Sequence, residues 1–346
     1  MVKRLLLVLI GLSVCLSAFS NITGAGSSFV YPLMARWSQA YAAATNEQVN
    51  YQSIGSGGGI SQLKGKTVQF AAIDMALDPK TLNEAHWAQF PLVMGGVVIA
   101  VNLPGVASDT LRLTGSVLAD IFLGKITHWN DPAIQGLNPD IKLPSMAITV
   151  VHRADGSGTT YNFSSYLSAV SAAWAKQVGV ATEVNWPTGI GGKGNSGAAL
   201  FTQRIPGSIS YLEYSFAKLT GLALAQLQNR AGNFVKANHD SFQAAANQAT
   251  FIAEHHFQQS LVDQQGEASW PIVAVTYVVM PTEQAQSINQ KILNFVRFGW
   301  VDQHEAMAAL DYIPLADNQL HVIENYWRVQ FHYQGRELSC SDLTEY

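Results

Sequence analysis

Three times in this chain a short loop of glycines and hydroxyl residues stands before a helical segment. The loops are Gly24-Ala25-Gly26-Ser27-Ser28-Phe29, Gly55-Ser56-Gly57-Gly58-Gly59 and Asp155-Gly156-Ser157-Gly158-Thr159-Thr160. The first leads to Pro32, which suits a helix's first turn, and then to Leu33, Trp37 and Tyr41 at helical spacing. Extended runs at Gln48–Ile54, Phe90–Asn102, Ala147–Val151 and Trp270–Met280 alternate with expected helices at Leu33–Ala43, Ser116–Phe122, Thr159–Ala172, Gln243–Gln259 and Thr282–Phe298. A short helix is expected to begin around Ile60 and Leu63, and Gly95-Gly96 to interrupt the Phe90–Asn102 strand. Such alternation specifies an α/β architecture. At 346 residues, 48% of them hydrophobic, the chain exceeds what one core usually organises, so two domains are expected.

The loops carry chemistry as well as shape. The first turn of a helix has unpaired N–H groups and the positive end of the helix dipole. Glycine lets backbone approach a ligand, and Ser or Thr adds a hydroxyl donor, so such a terminus holds an oxyanion. Any one of these loops alone is more often a plain helix cap. Three together, one flanked by charged residues, point to a shared oxyanion site. Nucleotide motifs do not fit. GxGxxG fails at Phe29 and Ile60, and the Walker pattern fails at Gly194, which follows Gly192-Lys193. The nucleophile elbow fails at Ile54 and Asp155, two residues before Ser56 and Ser157.

Arg153 ends an apolar strand just before the third loop, where a guanidinium fork can bind an oxyanion twice. Asp155, two residues on, is placed to pair with it and hold it still. Asp74 follows the apolar run Phe70-Ala71-Ala72-Ile73. A carboxylate beside an anion has a use when the anion carries a proton. It accepts that proton's hydrogen bond, and it rejects an anion such as sulfate that has none to give. The competing reading of Asp74 is a helix cap before Pro79.

Lys3 and Arg4 precede an apolar stretch from Leu5 to Leu16, too short to span a bilayer, and Ala18-Phe19-Ser20 offers small residues for cleavage. Residues 1–20 therefore read as a secretory signal peptide, and the mature protein as exported. A lipid anchor at Cys15 is disfavoured because Val14 precedes it; cleavage after Ser20 leaves Cys340 alone, with no intrachain disulfide. The formal charge is −4, and removing the leader takes away two basic residues and no acid. No basic stripe is visible, so nucleic acid is not the expected partner. Local dipoles, not net charge, must attract an anion.

With those residues in place, the chain resembles the periplasmic phosphate-binding proteins of bacterial ABC phosphate transporters. The resemblance is carried by GAGSSF, VNYQSIGSGGGI, FAAIDMAL, QFPLVMGGVVIAVNLPG, LADIFLGKITHWNDPAI, HRADGSGTTYNFSSYL, WPTGIGGKGNSGAALFTQRIPGSISYLEYSFA and WPIVAVTY, in family order from about residue 23 to 330. It implies a two-lobed Venus-flytrap fold, two α/β lobes joined by a β hinge. Lobe I would be residues 21–95 with 271–346 and lobe II residues 96–270, with Gly95-Gly96 and Trp270-Pro271 as hinge candidates. Position by position, it implies phosphate ligands Ser28, Phe29 through its N–H, Ser56, Asp74, Arg153, Ser157, Gly158 and Thr159, with Asp155 orienting Arg153. It implies a membrane permease as partner, a monomer, and no metal or cofactor. Ser28 stands where Thr is common, Gly57 where Ser is common, and Ile73 where a small residue is usual. His152 is unexpected before Arg153; it would add pH dependence if protonated, or face away as a strand residue. The tail after Tyr333 is longer than the family's usual end. The rival readings are a secreted phosphatase with the same cradle, a surface or secretion component with vestigial binding, and a sulfate receptor.

Overall fold

The structure is a computed structural model that describes residues 22–335. The expected leader, Cys15, Cys340 and most of the tail lie outside them.

The elements that build the site are, in chain order, β1 (Ile22–Gly26), α1 (Tyr31–Thr45), β2 (Val49–Ser53), α2 (Ser56–Lys64), β3 (Phe70–Ile73), β4 (Trp87–Asn102), β5 (Thr149–Arg153), α3 (Gly158–Val170), β6 (Ile190–Gly192), α4 (Gly194–Arg204), β7 (Ser208–Glu213) and β8 (Ile272–Pro281). They form one path of strands, β2-β1-β3-β8-β4-β7-β5-β6. The β1–β2 and β1–β3 pairs are parallel, as are β5–β7 and β5–β6. β8 runs antiparallel to β3 and β4, and β7 antiparallel to β4.

β4 is the element shared by both halves. Its residues from Trp87 to Gly96 pair with β8, and those from Val97 to Asn102 pair with β7. Fourteen of its sixteen residues are buried, which is why it reads as an unbroken apolar run. Pro91 has no N–H to give a ladder, and it sits beside the register shift at Thr276/Tyr277, where such a residue is tolerated. The strand is not interrupted at Gly95-Gly96. Those glycines are there because aromatic rings lie against the strand: a Cβ at Gly95 would come within 2.9 Å of the Phe29 ring, and one at Gly96 would overlap Phe242.

Helix α1 buries Leu33, Met34, Trp37 and Tyr41, the stripe its spacing predicts. Tyr41 and Trp37 meet Phe295 edge-on, Tyr41 also meets Phe298, and both partners lie on the helix Gln286–Asp302. That helix begins four residues later than expected. Two other expectations are corrected. The run Gly57–Gly59 lies within the first turns of α2, which begins at Ser56. The expected helix Gln243–Gln259 spans only His239–Ala246, followed by a single 3₁₀ turn at Ala253–His255. Asn238 fixes the earlier start by capping Ser241 N at 2.9 Å. The turns after it are held by other elements: Gln89 Nε2 donates to His256 O at 2.9 Å, and Tyr277 OH to Phe257 O at 3.1 Å. Among the described residues no helix is long and apolar enough to cross a membrane.

Candidate oxyanion site

The site forms where the ends of β1, β3 and β5 and the starts of α2, α3 and α4 converge on β8. At Gly26 the chain turns out of β1 with φ +136°, backbone that only glycine adopts readily. This delivers Ser27, Ser28 and Phe29 to the site. Tyr51 OH donates to Ser27 O at 2.9 Å and Tyr312 OH to Phe29 O at 2.6 Å, so the loop is braced at two carbonyls. Asp74 follows β3 directly and is 2% exposed. It is not a helix cap, because Asp78 caps that helix through Thr81 N at 2.9 Å.

Around Asp74 stands a shell of donors. Ser27 Oγ lies 2.6 Å from each carboxylate oxygen. Thr276 Oγ1, from β8, donates to Oδ1 at 2.9 Å, and Ser56 Oγ is 3.5 Å from Oδ2. Ser56 Oγ in turn accepts Asp74 N at 3.2 Å and Gly158 N at 3.1 Å. Asn162 Nδ2 ties Asp74 O at 2.5 Å to Gly158 O at 2.9 Å. Burial pushes the Asp74 carboxyl up to about 6, while the Ser27, Thr276 and Ser56 hydroxyls and the Arg153 charge pull it back.

On the other side the Arg153 guanidinium is buried and held in a fork. Nε donates to Asp155 Oδ1 at 2.9 Å and Nη2 to Oδ2 at 2.5 Å, while Nη1 reaches Thr159 Oγ1 at 3.2 Å. Asp155 also accepts Gly194 N, at the start of α4, at 2.9 Å. Ser157 Oγ caps α3 by accepting Thr160 N at 3.0 Å. A Cβ on Gly158 would lie 2.5 Å from Asp74 Cβ and 2.6 Å from Ser56 Oγ, so only glycine fits there.

The nine residues singled out from the sequence are thus brought to one place. Two have a more local partner than expected: the Phe29 N–H donates to Ser27 Oγ at 2.9 Å, and Ser157 Oγ caps its own helix. Sequence reasoning missed Ser27, Thr276 and Asn195. Ser27 lay inside the first loop but was passed over for its neighbour. Thr276 is a lone hydroxyl in an apolar strand, a signal available only once β8 is known to face Asp74. Asn195 N and Nδ2 both donate to Ser28 Oγ at 3.0 Å, Nδ2 also reaches Thr159 Oγ1 at 3.2 Å, and Oδ1 accepts Glu213 N at 3.0 Å. Its signal was a fourth glycine loop before a helix, Gly191-Gly192-Lys193-Gly194, which a nucleotide motif could not explain.

His152 faces away from the site. Its ring stacks on Trp186, centroids 4.8 Å apart, and burial lowers its pKa, which disfavours a cation beside Arg153. Asp74 also borders a cavity of ≈ 260 Å³ walled by Asn162, Gln259, Ser260 and Tyr277.

A profile of the PBP superfamily domain matches residues 17–299. The phosphate-binding protein PstS of Xylella fastidiosa (strain Temecula1) is 46% identical over 312 residues, covering 90% of this chain and 86% of that protein. The chain belongs to the phosphate-binding protein PstS family. Its Pasteurella multocida member is 43% identical over 335 residues, covering 95% of this chain and 97% of its own. A phosphate binding protein from Stenotrophomonas maltophilia superposes with a TM-score of 0.66 at 20% identity, over 88% of this chain and 93% of that one. That likeness bears on the fold alone, and it is the two-lobed periplasmic-binding-protein fold expected from the sequence.

Proposed function

We propose that the mature protein captures inorganic phosphate in the periplasm, as a monomer, and delivers it to the membrane permease of an ABC phosphate transporter. Phosphate would be held between lobe I (residues 21–95 with 271–346) and lobe II (96–270), with the turns around Phe257 packed on lobe I through Gln89 and Tyr326. Its ligands would be Ser28, Ser56, Asp74, Arg153, Ser157 and Thr159 and the N–H groups of Phe29 and Gly158, with Asp155 orienting Arg153. The single observation that carries the reading is an acid in a cradle of donors. Asp74 is buried beside Ser27, Ser56 and Thr276 and opposite the Arg153 fork. A site meant for any anion gains nothing from a carboxylate, which repels charge. A site meant for a proton-bearing anion uses it as the acceptor of that proton.

The reading is of a binder and not a phosphatase. Ser157 Oγ caps α3 by accepting Thr160 N, and the activating base that a nucleophilic serine needs is not among its hydrogen-bond partners in the described residues. Nothing in the charge pattern calls for nucleic acid. Titration calorimetry with phosphate, beside incubation with a chromogenic phosphoester, tests this. Saturable phosphate binding without turnover is expected. Turnover lost on Ser157→Ala would overturn the binding reading.

A further inference from the structure

Ser27 stands between a group that can only donate and a group that accepts. The Phe29 N–H reaches Ser27 Oγ at 2.9 Å and can only donate, to this oxygen as well as to a bound anion. The oxygen is therefore an acceptor on that side, and its one proton is directed to Asp74, whose two oxygens both lie 2.6 Å away. Ser56 repeats the device. Its oxygen accepts two backbone N–H groups, from Asp74 and Gly158, which leaves its proton for Asp74 Oδ2 or for the anion. Thr276 adds a further hydroxyl from β8, at 2.9 Å from Oδ1.

We propose that Ser27, assisted by Thr276, is a specificity-determining residue. Its oriented hydroxyl proton holds Asp74 as a carboxylate acceptor, so that the site admits an oxyanion carrying a proton and excludes one without. This rests on the reading of Asp74 as acceptor of the phosphate proton. A buried carboxyl left to itself takes up a proton, turns into a donor, and then suits sulfate as well as phosphate. Donors aimed at its oxygens oppose that change, because a hydrogen bond to a charged group favours the charged form.

Other groups facing Asp74 do not replace Ser27. The Arg153 charge acts in the same direction. The Tyr51 hydroxyl turns to Ser27 O, and Tyr312 turns to Phe29 O. Glu213, itself buried, is a like charge whose ionisation works against that of Asp74. Ser27 and Thr276 are thus the hydroxyls on Asp74 that need not be shared with the anion. A proton-deficient probe separates the possibilities, because sulfate needs a donor at Asp74 and so reports its protonation.

The test is sulfate calorimetry across pH 5 to 8.5 on the wild type, Ser27→Ala, Thr276→Val and Thr276→Ser. Alongside it, the Asp74 carboxyl is titrated by ¹³C NMR in anion-free protein. Loss of one hydrogen bond to the carboxylate is expected to move its midpoint up by about one pH unit. Sulfate binding by Ser27→Ala then persists to higher pH by the same shift. Thr276→Val moves the same way, and Thr276→Ser restores the wild-type profile. An unchanged midpoint in both Ser27→Ala and Thr276→Val overturns the inference. A wild type that binds no phosphate would overturn the proposed function instead, and the NMR titration still decides the role of Ser27.

Discussion

The backbone N–H and the side-chain amide of Asn195 both donate to Ser28 Oγ at 3.0 Å, although the two residues are 167 positions apart in the sequence. Ser28 follows β1 and Asn195 opens α4, so the pair joins elements far apart in the chain. Two further bonds cross the same gap: Gly57 N to Gly156 O at 2.9 Å, and Gly158 N to Ser56 Oγ at 3.1 Å. These bonds are made by groups that also line the site. Asn195→Ala keeps the backbone bond to Ser28 but removes the amide donor from Ser28 and Thr159 and the acceptor from Glu213 N. An unmade buried hydrogen bond costs ~1–3 kcal/mol, so phosphate affinity is expected to fall about ten- to a hundredfold. Stopped-flow fluorescence should place most of that loss in faster dissociation.

Gly158→Ala tests closure itself. The added methyl would stand between α3 and Asp74 only when the halves meet, 2.5 Å from Asp74 Cβ. Packing this tight admits no extra methyl without displacement. Small-angle scattering is expected to show compaction on adding phosphate for the wild type and none for Gly158→Ala. Equal compaction would mean that the two halves close by another route.

Arg153→Lys keeps the charge and loses the fork. The guanidinium meets both Asp155 oxygens and Thr159 at once, which an ammonium on a flexible stem does not. Calorimetry is expected to show a loss of about tenfold or more in phosphate affinity. Asp155→Asn should lose less than Arg153→Lys, because it acts through Arg153 and through Gly194 N.

Much of this site was legible in the sequence, and the reasons are local. A helix start after glycine is written in consecutive residues, so Ser28, Ser56 and Gly158 could be found without knowing what faces them. Arg153 and Asp155 are two residues apart on the same loop, which made their pairing readable. What was not legible depends on long-range pairing. Thr276 matters because β8 runs antiparallel beside β3, with Tyr277 opposite Ile73. Asn195 matters because α4 points at β1. The shortened helix at His239–Ala246 was misjudged because its apolar residues continue past its end, where Gln89 and Tyr277 hold the chain in turns. Likewise Gly95-Gly96 looked like a break and proved to be a seat for Phe29 and Phe242.

Glu213 offers a stability test away from the anion. It ends β7, is fully buried, and caps the following turn through Ser215 N at 2.9 Å and through the Ser215 hydroxyl. Burial pushes its carboxyl from the ordinary 4.5 of a free glutamate up to about 8. The native state therefore holds a proton that the unfolded chain has released between those values. Stability from this group is complete below the lower one and is lost as pH rises through the upper one. Asp74 adds a smaller effect of the same sign, from 3.8 to about 6. Thermal melts of Glu213→Gln against the wild type should diverge in the variant's favour from pH 5 to 8.5, by on the order of a few kcal/mol. The relevant quantity is the pH slope, which a lost cap alone would not change.

Asp74 is the residue on which the choice of anion turns, and direct titration calorimetry of the wild type and Asp74→Asn with phosphate and with sulfate at pH 7.5 measures that choice. The wild type is expected to bind phosphate tightly and to prefer it over sulfate by a large factor, on the order of 10⁴. Asp74→Asn, with a neutral amide among the same hydroxyls, should narrow that ratio by at least tenfold. Sulfate binding by the wild type as tight as phosphate, or a ratio unaltered by Asp74→Asn, would contradict the account.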